Sequence, residues 1–402
     1  MAQVVSDFIY WLGNCMVCFP GSPTLKINNR SFKILRLLGE GGFSYVYLVQ
    51  DTSTSELLAL KKIRCPFGQE SVAQAMHEVE AYKLFGNTPG IIHHVDYSIA
   101  TERGGEGQDK TVYVLLPYYR RGNLQDMIQQ RKRSHDAFPV GVQGAIEGMH
   151  KYKGGFGDTT GESMEVPGAG KRKSKTRQTA VGGADEDDET EQQVPLIEEE
   201  GRLPGSGETR SYAHRDIKPG NIMISDSGRD PILMDLGSIA VSPLPITSRS
   251  LAIATQDTAA EHSTMPYRAP ELFDVKTGTV IDTKVDIWSL GCTLYACLVG
   301  KSPFEMRSDE TGGSLSICVL SGDWRFPDEG PGQTKGKGKA GAGGGVGGDH
   351  TATNKDDENY ISEPIRDVVR RCLRVEPAER PDIDELIELV ERVAEELPED
   401  TA

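Results

Sequence analysis

A glycine-rich stretch near the start of the chain has the residue types of a loop that holds phosphate. It reads LGEGGFSYV, from Leu38 to Val46, and its glycines allow the backbone to approach a ligand closely. It departs from the dinucleotide-binding fingerprint, because Ser44 stands where a third glycine belongs, and from the P-loop, because no Gly-Lys-Ser/Thr follows. Taken alone, a tight turn between two strands is an equally good interpretation of this stretch.

The residues around this stretch predict strands followed by a helix. FKILRLL, SYVYLVQD and ELLALKKI, between residues 32 and 63, are rich in β-branched, aromatic and apolar residues and are separated by turn residues. SVAQAMHEVEAYKLF then has apolar residues at helical spacing. VYVLLPYY is typical of a buried strand that ends at a proline, and NLQDMIQQ of a helix capped by Asn123. The glycine-rich stretch is therefore expected to connect two strands.

Composition argues against one class of partner and favours one kind of compartment. The 402 residues carry a net charge of -16, which argues against nucleic acid as the main partner, since phosphate backbones attract basic surfaces. Seven cysteines without the spacing of a disulfide framework favour a reducing, intracellular setting. Five of them are expected to be small core residues: Cys65, Cys292, Cys297, Cys318 and Cys372.

Two stretches have compositions that predict disordered insertions. The first, about 151–210, contains KRKSKTR and ADEDDETE with few aromatics, so it cannot bury enough apolar surface to offset the entropy of ordering. The second, about 328–358, contains the glycine-rich run GPGQTKGKGKAGAGGGVGGDH. KRKSKTR is interpreted as solvated charge, with a nuclear-localisation patch as the alternative.

Four further motifs follow the first insertion. They are YAHRDIKPGNIMI at 212–224, DLGS at 235–238, MPYRAPELF at 265–273 and DIWSLGC at 286–292. In this order and spacing, with the glycine-rich stretch about twenty residues before Lys61, they resemble a eukaryotic-type protein kinase over residues 32–397 apart from the insertions. The resemblance implies an α+β, bilobal fold, with a small β-rich N-lobe at 32–117 and a large helical C-lobe at 118–397.

The resemblance assigns catalytic and metal-binding roles to residues of the C-lobe. Phosphoryl transfer needs mainly positioning and the neutralisation of charge. Asp216 matches the carboxylate that accepts the proton of the substrate hydroxyl, and Lys218 the cation that stabilises the transferring phosphoryl group. Asn221 belongs to the same catalytic set. Together with Asp235 it also matches the metal ligands, and both side chains offer hard oxygen donors. The implied cofactors are ATP and Mg²⁺, with Mn²⁺ as an alternative ion.

The resemblance assigns nucleotide binding to the N-lobe and to the hinge that follows it. Lys61 matches the strand lysine that holds the α- and β-phosphates, and Glu78, rather than its competitor Glu80, is the expected partner on the helix. Pro117 lacks an N–H, but the family uses only the carbonyl at this hinge position. The expected nucleotide-binding residues are Leu38, Gly39, Gly41, Ser44, Val46, Ala59, Lys61, Glu78, Leu116, Pro117 and Tyr119.

Several polar residues near these motifs are given structural roles. His214 is expected to pack behind Asp216, and Asp286 to hold the backbone of the catalytic loop. Glu271 and Arg380 match a buried ion pair of the family's C-lobe.

Details of the motifs narrow the resemblance. GEGGFSYV, YRAPELF, DLGS in place of Asp-Phe-Gly, and DIWSLGC are most similar to the Numb-associated kinase family, in its myristoylated and palmitoylated serine/threonine kinase branch. Lys218 and Thr264 match serine/threonine signatures, so the resemblance implies protein substrates and autophosphorylation. The long segment from Ser238 to Ser263 lies in the activation segment, and the resemblance implies that TSRSLAIATQDTAAEHS within it forms the extra helix typical of this family.

Two other function classes are less favoured. A catalytically inactive scaffold is the main alternative, but Lys61, Asp216, Asn221 and Asp235 are all present. A small-molecule kinase would not need the APE element and a full activation segment, which serve protein substrates.

Residues 1–31 are expected to form a palmitoylated membrane anchor. VVSDFIYWLGNCMVCF lacks a basic leading region and is interrupted by Asp7, so it predicts neither a signal peptide nor a spanning helix. Ala2 stands where myristoylation requires Gly, which leaves Cys15 and Cys18 as acylation candidates, with an ordinary buried tail as the alternative. The kinase is expected on the cytoplasmic face of Golgi- or vacuole-type membranes, with a cytosolic pool, in trafficking or organelle regulation.

Overall fold

The structure, a computed structural model, describes residues 24–101, 110–130, 141–153, 209–329 and 361–396. Cys15, Cys18 and most of the expected anchor lie outside the described residues. So do residues 154–208 and 330–360, which make up most of the two expected insertions.

A six-stranded antiparallel sheet and one helix form the N-lobe. The strands are β1 (Thr24–Ile27), β2 (Arg30–Glu40), β3 (Ser44–Asp51), β4 (Leu57–Cys65), β5 (Asp96–Thr101) and β6 (Lys110–Pro117), in the order β1-β2-β3-β4-β6-β5. Helix α1 (Gln69–Leu84) contacts β4 and β6 and buries Val72, Val79 and Tyr82. The three strands and the helix predicted in this region are confirmed, and the glycine-rich stretch connects β2 to β3.

The sheet begins before the predicted lobe boundary at residue 32. Strand β1 pairs with β2 through Ile27 opposite Arg30, and Ile27 and Phe32 are almost fully buried. Residues 24–31 therefore belong to the N-lobe and not to the expected anchor segment 1–31. A strand of four residues carries too little alternation to be recognised from the sequence alone.

Eight α-helices lie in the described part of the C-lobe. They are α2 (Leu124–Gln130), α3 (Gly141–His150), α4 (Arg249–His262), α5 (Lys284–Val299), α6 (Pro303–Thr311), α7 (Leu315–Ser321), α8 (Glu363–Cys372) and α9 (Ile383–Glu396). Helix α5 is buried along most of its length, and the ring of Trp288 stacks on Phe304 with the centroids 5.2 Å apart. The predicted bilobal α+β fold is confirmed. Within the described ranges, no helix is both long enough and apolar enough to span a bilayer.

Short strand pairs frame the loops of the C-lobe that carry the motifs. Strand β8 (Thr209–Ala213) pairs with β7 (Tyr152–Lys153) on one side and β11 (Ala240–Ser242) on the other. Strands β9 (Ile222–Ile224) and β10 (Pro231–Leu233) form a hairpin, and β12 (Leu244–Pro245) pairs with β13 (Val280–Ile281). The HRD motif thus lies between β8 and β9, and DLGS lies between β10 and β11.

The residues that flank segment 154–208 lie side by side. Tyr152 pairs with Arg210 and Lys153 with Thr209. The Tyr152 ring also meets the rings of Phe85 and Tyr212 edge-on, at centroid distances of 5.2 and 6.0 Å. The predicted insertion, 151–210, therefore included residues that belong to the packed fold, because its polar composition hid one partly buried aromatic side chain at its edge.

The second expected insertion also began too early. Asp328 and Glu329 lie at its predicted start, yet both pair with the buried guanidinium of Arg366, at 2.6 and 3.4 Å. They belong to the packed C-lobe, because Arg366 on α8 needs partners for its charge.

Candidate active site

Expected nucleotide-binding residues share one face of the N-lobe sheet. Strand pairing sets Val46 opposite Lys61 and Ala59 opposite Leu116. Because side chains alternate along a strand, Ala59 and Lys61 point to the same side, and their cross-strand partners Val46 and Leu116 point there too. Lys61 bonds to α1, so this is the face toward that helix. Four expected ligand-binding side chains are thereby brought together.

The glycine-rich loop at the end of this face is held by backbone hydrogen bonds. The N–H of Gly41 donates to the carbonyl of Ser44 at 2.8 Å, and the N–H of Arg64 donates to the carbonyl of Phe43 at 2.8 Å. A Cβ on Gly41 would lie 3.1 Å from the Ser44 hydroxyl oxygen, whereas one on Gly39 would meet nothing within 4 Å. Gly41 therefore permits the tight turn, and Gly39 leaves open space beside the backbone.

Lys61 lies among three carboxylate oxygens. Its Nζ is 2.7 and 2.8 Å from the two oxygens of Glu78 and 3.0 Å from Oδ1 of Asp235. Glu78 is buried whereas Glu80 is exposed, so of the two glutamates that the sequence offered, Glu78 is the partner. Burial opposes the charge on Lys61, but the carboxylates of Asp235 and Glu78 outweigh it and raise the pKa of Lys61.

Tyr82 is a member of this cluster that the sequence analysis missed. Its hydroxyl donates to Oε1 of Glu78 at 2.6 Å, and its side chain is buried. Tyr82 follows Glu78 by four residues in α1, which sets both on one helix face. That spacing was visible in the sequence, but an aromatic residue at a helical position is by default a core residue.

The HRD loop, residues 214–221, brings three expected catalytic residues together. The Lys218 ammonium lies 2.7 Å from Oδ2 of Asp216, and Nδ2 of Asn221 donates to the same oxygen at 3.0 Å. Asn221 also donates to the Asp216 carbonyl at 2.9 Å. Because these residues are two and five positions from Asp216, the loop backbone itself sets their approach. Within the loop, two donors thus hold the buried Asp216 carboxylate.

Buried groups behind the loop fix its backbone. The carboxylate of Asp286 accepts the N–H groups of His214 and Arg215 at 2.7 and 2.8 Å. The Asp286 carboxylate also lies 3.0 Å from Nε2 of His150, at the end of α3. His214 Nδ1 accepts the N–H of Asp216 at 3.2 Å. His214 and Asp286 thus have the structural geometry that the sequence predicted, and His150 adds a contact that it did not.

Asp235 lies beside the HRD loop in a left-handed backbone conformation, with φ 62°. The N–H of Met234 donates to the carbonyl of Asn221 at 2.9 Å, which brings the two expected metal ligands close in space. The charge of Lys61 outweighs burial and lowers the pKa of Asp235 to about 2, so its carboxylate is ionised at neutral pH. Asn221 donates through its amide nitrogen, which leaves its carbonyl oxygen as the ligand atom. An ionised carboxylate and an amide oxygen suit Mg²⁺.

Thr264 connects the activation segment to the HRD loop. Its backbone N–H donates to Oδ1 of Asp216 at 2.8 Å, and its hydroxyl accepts from Lys218 at 2.6 Å. The expected extra helix in this segment is confirmed as α4, whose N-cap Ser248 accepts the N–H of Leu251. At the other end of α4, Arg268 donates to the carbonyls of Ala260 and Ser263. The activation segment therefore bonds directly to the carboxylate of Asp216.

The hinge follows directly from β6. Pro117 is the last residue of β6 and pairs in register with Leu58, and Leu116 before it is almost fully buried. Tyr119 is half-buried, and its carbonyl accepts the N–H of Gly122 at 3.4 Å. Leu38 lies at the irregular pairing between β2 and β3, where the register shifts.

The chain matches known proteins over most of its length. The family model of the protein kinase domain matches residues 32–153 and 209–389. The chain is 33% identical over 383 residues to serine/threonine-protein kinase ENV7 of Saccharomyces cerevisiae, covering 92% of this chain and 93% of that protein. It is 32% identical to serine/threonine-protein kinase ppk13 of Schizosaccharomyces pombe, covering 91% of each chain. Human serine/threonine-protein kinase 16 is 33% identical, over 75% of this chain and 80% of its own.

The matched residues stop at Lys153 and resume at Thr209, the two residues that pair across β7 and β8. On both sides of this gap they include the motifs whose side chains meet around Asp216 and Lys61. The chain therefore belongs to the protein kinase family.

Proposed function

We propose that the enzyme transfers the γ-phosphate of ATP to serine and threonine hydroxyls of proteins, including its own. The observation that carries the proposal is the bonding of Thr264 to both Asp216 and Lys218. It joins the segment expected to receive a protein substrate to the groups expected to act on the hydroxyl. The names of the relatives, which are serine/threonine-protein kinases, support the same conclusion.

The proposed roles follow from charge and position. Asp216 accepts the proton of the attacking hydroxyl, because its carboxylate is held by Lys218 and Asn221 with Oδ1 fixed by Thr264. Lys218 offsets negative charge on the phosphoryl group that moves toward the hydroxyl. Lys61, oriented by Glu78, holds the non-transferred phosphates.

Asn221 and Asp235 are proposed to hold Mg²⁺, with Mn²⁺ as an alternative ion. The ion, when bound, neutralises phosphate charge. Asp235 also bonds to Lys61. One carboxylate therefore contacts the lysine proposed to hold phosphate and is itself a proposed metal ligand.

Label transfer from ATP tests the proposal. Purified wild-type protein should phosphorylate itself in the presence of Mg²⁺ or Mn²⁺, and acid hydrolysis should release phosphoserine and phosphothreonine. Asp216→Asn removes the proton acceptor while keeping the side-chain volume, and should slow transfer by about 10² to 10⁴. Folded wild-type protein that binds ATP and transfers no label with either ion would support the inactive scaffold instead.

We further propose that the chain belongs to the Numb-associated kinase family and works at internal membranes, in trafficking or organelle regulation. Helix α4 within the activation segment supports the family assignment. The net charge of -16 disfavours attraction to anionic lipids, so attachment would depend on acyl chains at Cys15 and Cys18. Two acyl chains anchor a protein stably, whereas one does so only marginally.

Fractionation tests the membrane proposal separately from catalysis. Wild-type protein expressed in a eukaryotic cell should sediment with internal membranes, and the Cys15→Ser, Cys18→Ser variant should turn cytosolic. A matched control is Cys297→Ser, because Cys297 is a cysteine of the C-lobe that lies far from the segment in sequence. A double variant that stays on membranes, or a wild type that never sediments, would rule out the acyl anchor.

A further inference from the structure

The phenol of Tyr82 lies beside the ion pair between Glu78 on α1 and Lys61 on β4. It donates to Oε1 of Glu78 at 2.6 Å, and the same oxygen lies 2.7 Å from the Lys61 ammonium. Oε1 of Glu78 therefore accepts hydrogen bonds from both the Lys61 ammonium and the buried Tyr82 hydroxyl. Bonds between neutral donors and ionised acceptors are among the strong hydrogen bonds of proteins.

The Tyr82 side chain has little freedom to move. It is 1% exposed, and its ring stacks on His94 with the centroids 6.5 Å apart. By contrast, the carboxylate of Glu78 ends a flexible side chain that can rotate about three torsions. The fixed phenol therefore restricts the Glu78 carboxylate to fewer rotamers than its side chain could otherwise adopt.

Helix α1, which carries Tyr82, also packs against residues 236–238, which follow Asp235. Burial, with the nearby charges of Glu78 and Asp235, raises the pKa of Tyr82 well above its usual value. The hydroxyl therefore keeps the proton that it donates to Glu78. Leu236 directly follows Asp235, and its side chain is fully buried.

We propose that Tyr82 is a positioning residue, which holds the Glu78 carboxylate in the orientation that presents Lys61 to the phosphates of ATP. The Tyr82 hydroxyl bonds to Glu78 and not to Lys61 itself, so its effect on Lys61 passes through the Glu78 carboxylate.

This inference deepens the proposed kinase function, and Tyr82→Phe tests it by removing one oxygen atom. We expect the KM for ATP in autophosphorylation to rise and kcat to fall, with kcat/KM about tenfold lower, because a buried charged acceptor loses one donor. The Kd for ATP, measured without turnover, should rise by several-fold. The melting temperature should change by only a few degrees.

Tyr295→Phe is the matched control. Tyr295 is also a fully buried tyrosine whose hydroxyl donates to a protein oxygen, the Arg325 carbonyl, at 2.7 Å. It lies in α5 and does not contact Glu78 or Lys61. If Tyr82 acted only through stability, the two variants would show the same kinetic change for the same change in melting temperature. We expect Tyr295→Phe to keep the wild-type KM and Kd for ATP.

A double-variant cycle isolates the route through Glu78. In a Glu78→Gln background, Tyr82→Phe should change the Kd for ATP far less than it does in the wild-type background. An equal change in both backgrounds, or an unchanged KM, kcat and Kd in Tyr82→Phe, would overturn the inference. Should Tyr82→Phe not fold, Tyr82→Leu, which removes the hydroxyl together with the ring, is compared with Tyr295→Leu, which loses the same groups.

The two proposals can fail separately. A wild-type protein that transfers no phosphate would refute the proposed function, while the Kd measurements would still decide the role of Tyr82. Active wild-type protein with an equally active Tyr82→Phe variant would refute only the role of Tyr82.

Discussion

The backbone N–H of Thr264 donates to Oδ1 of Asp216 at 2.8 Å, across 48 positions of sequence. The Thr264 hydroxyl accepts from Lys218 at 2.6 Å. A single threonine of the activation segment therefore orients the expected proton acceptor through its backbone and the expected phosphate-binding cation through its side chain. At this residue the conformation of the activation segment and that of the HRD loop therefore depend on each other.

Removing the Thr264 hydroxyl should impair chemistry more than folding. Thr264→Val keeps the side-chain shape and the backbone N–H but leaves Lys218 without one acceptor. A hydrogen bond to a charged group is worth about 1.5–3 kcal/mol, so kcat for autophosphorylation should fall by roughly tenfold to a hundredfold. Thr264→Ser, which restores the acceptor, should recover most of the rate. Equal rates in Thr264→Val and wild type would show that Lys218 needs no help from this residue.

Asp235→Asn should abolish most metal-dependent activity without unfolding the protein. The substitution removes the charge of the expected metal ligand, which Lys61 keeps ionised by lowering its pKa to about 2. The loss should be about two orders of magnitude or more in kcat/KM at saturating Mg²⁺. Asp274→Asn is the matched control, because Asp274 is an exposed aspartate whose partner, Lys276, is exposed too. Similar activity in the two variants would argue against Asp235 as a metal ligand.

Segment 154–208 should be removable without loss of activity. Tyr152 and Lys153 pair with Arg210 and Thr209, so an Asn-Gly turn that joins residue 153 to residue 209 would close a two-residue hairpin. Shortening a long loop changes its closure entropy by only about 0.6 kcal/mol per halving. The shortened enzyme should keep wild-type kcat and KM for ATP in the label-transfer assay.

A larger deletion, of residues 151–210, provides the contrast. It also removes Tyr152, whose ring packs against Phe85 and Tyr212. We expect this deletion to lower the melting temperature while the 154–208 deletion leaves it within a few degrees of wild type. A 154–208 deletion that folds but does not bind ATP would show that the segment contributes to the site.

The buried pair of Arg380 and Glu271 should carry a large share of C-lobe stability. The guanidinium meets both Glu271 oxygens, at 2.7 and 2.8 Å, and lies 5.0 Å from the ring centroid of Trp288. Arg380→Met leaves Glu271 without this partner in a largely buried place, which should cost about 3–5 kcal/mol of unfolding free energy. Urea denaturation measures that loss.

The matched control for this pair lies on the surface. Lys276 and Asp274 approach to 3.7 Å with both side chains mostly exposed. Lys276→Met should therefore cost less than about 1 kcal/mol. Comparable losses in Arg380→Met and Lys276→Met would mean that the buried pair is not a structural element of the C-lobe.

The sequence alone was sufficient for interactions that span few residues or follow one element. Asp216, Lys218 and Asn221 lie within one loop, so their meeting follows from local backbone geometry. Helix α4, which the family resemblance implied, is also a local element, because its N-cap Ser248 directly precedes the residues of the helix. Local chemistry of this kind does not depend on where distant parts of the chain lie.

The tertiary structure decided the contacts between distant elements. Gln74 on α1 and His262 at the end of α4 approach to 2.8 Å across 188 positions, and neither residue type predicts the other. Likewise the motif favoured Glu78 over Glu80 as the partner of Lys61. The burial of Glu78 and its hydrogen bond to the Lys61 ammonium show which of the two it is.

Tyr82 illustrates the same limit. Its position in α1 was predictable, yet its hydroxyl acquires a role only because the helix packs with Glu78 beside Lys61. Side-chain partners of this kind depend on how several elements pack at once. Hydrophobic periodicity specifies which face of an element is buried, but it does not specify which polar atom that face will meet.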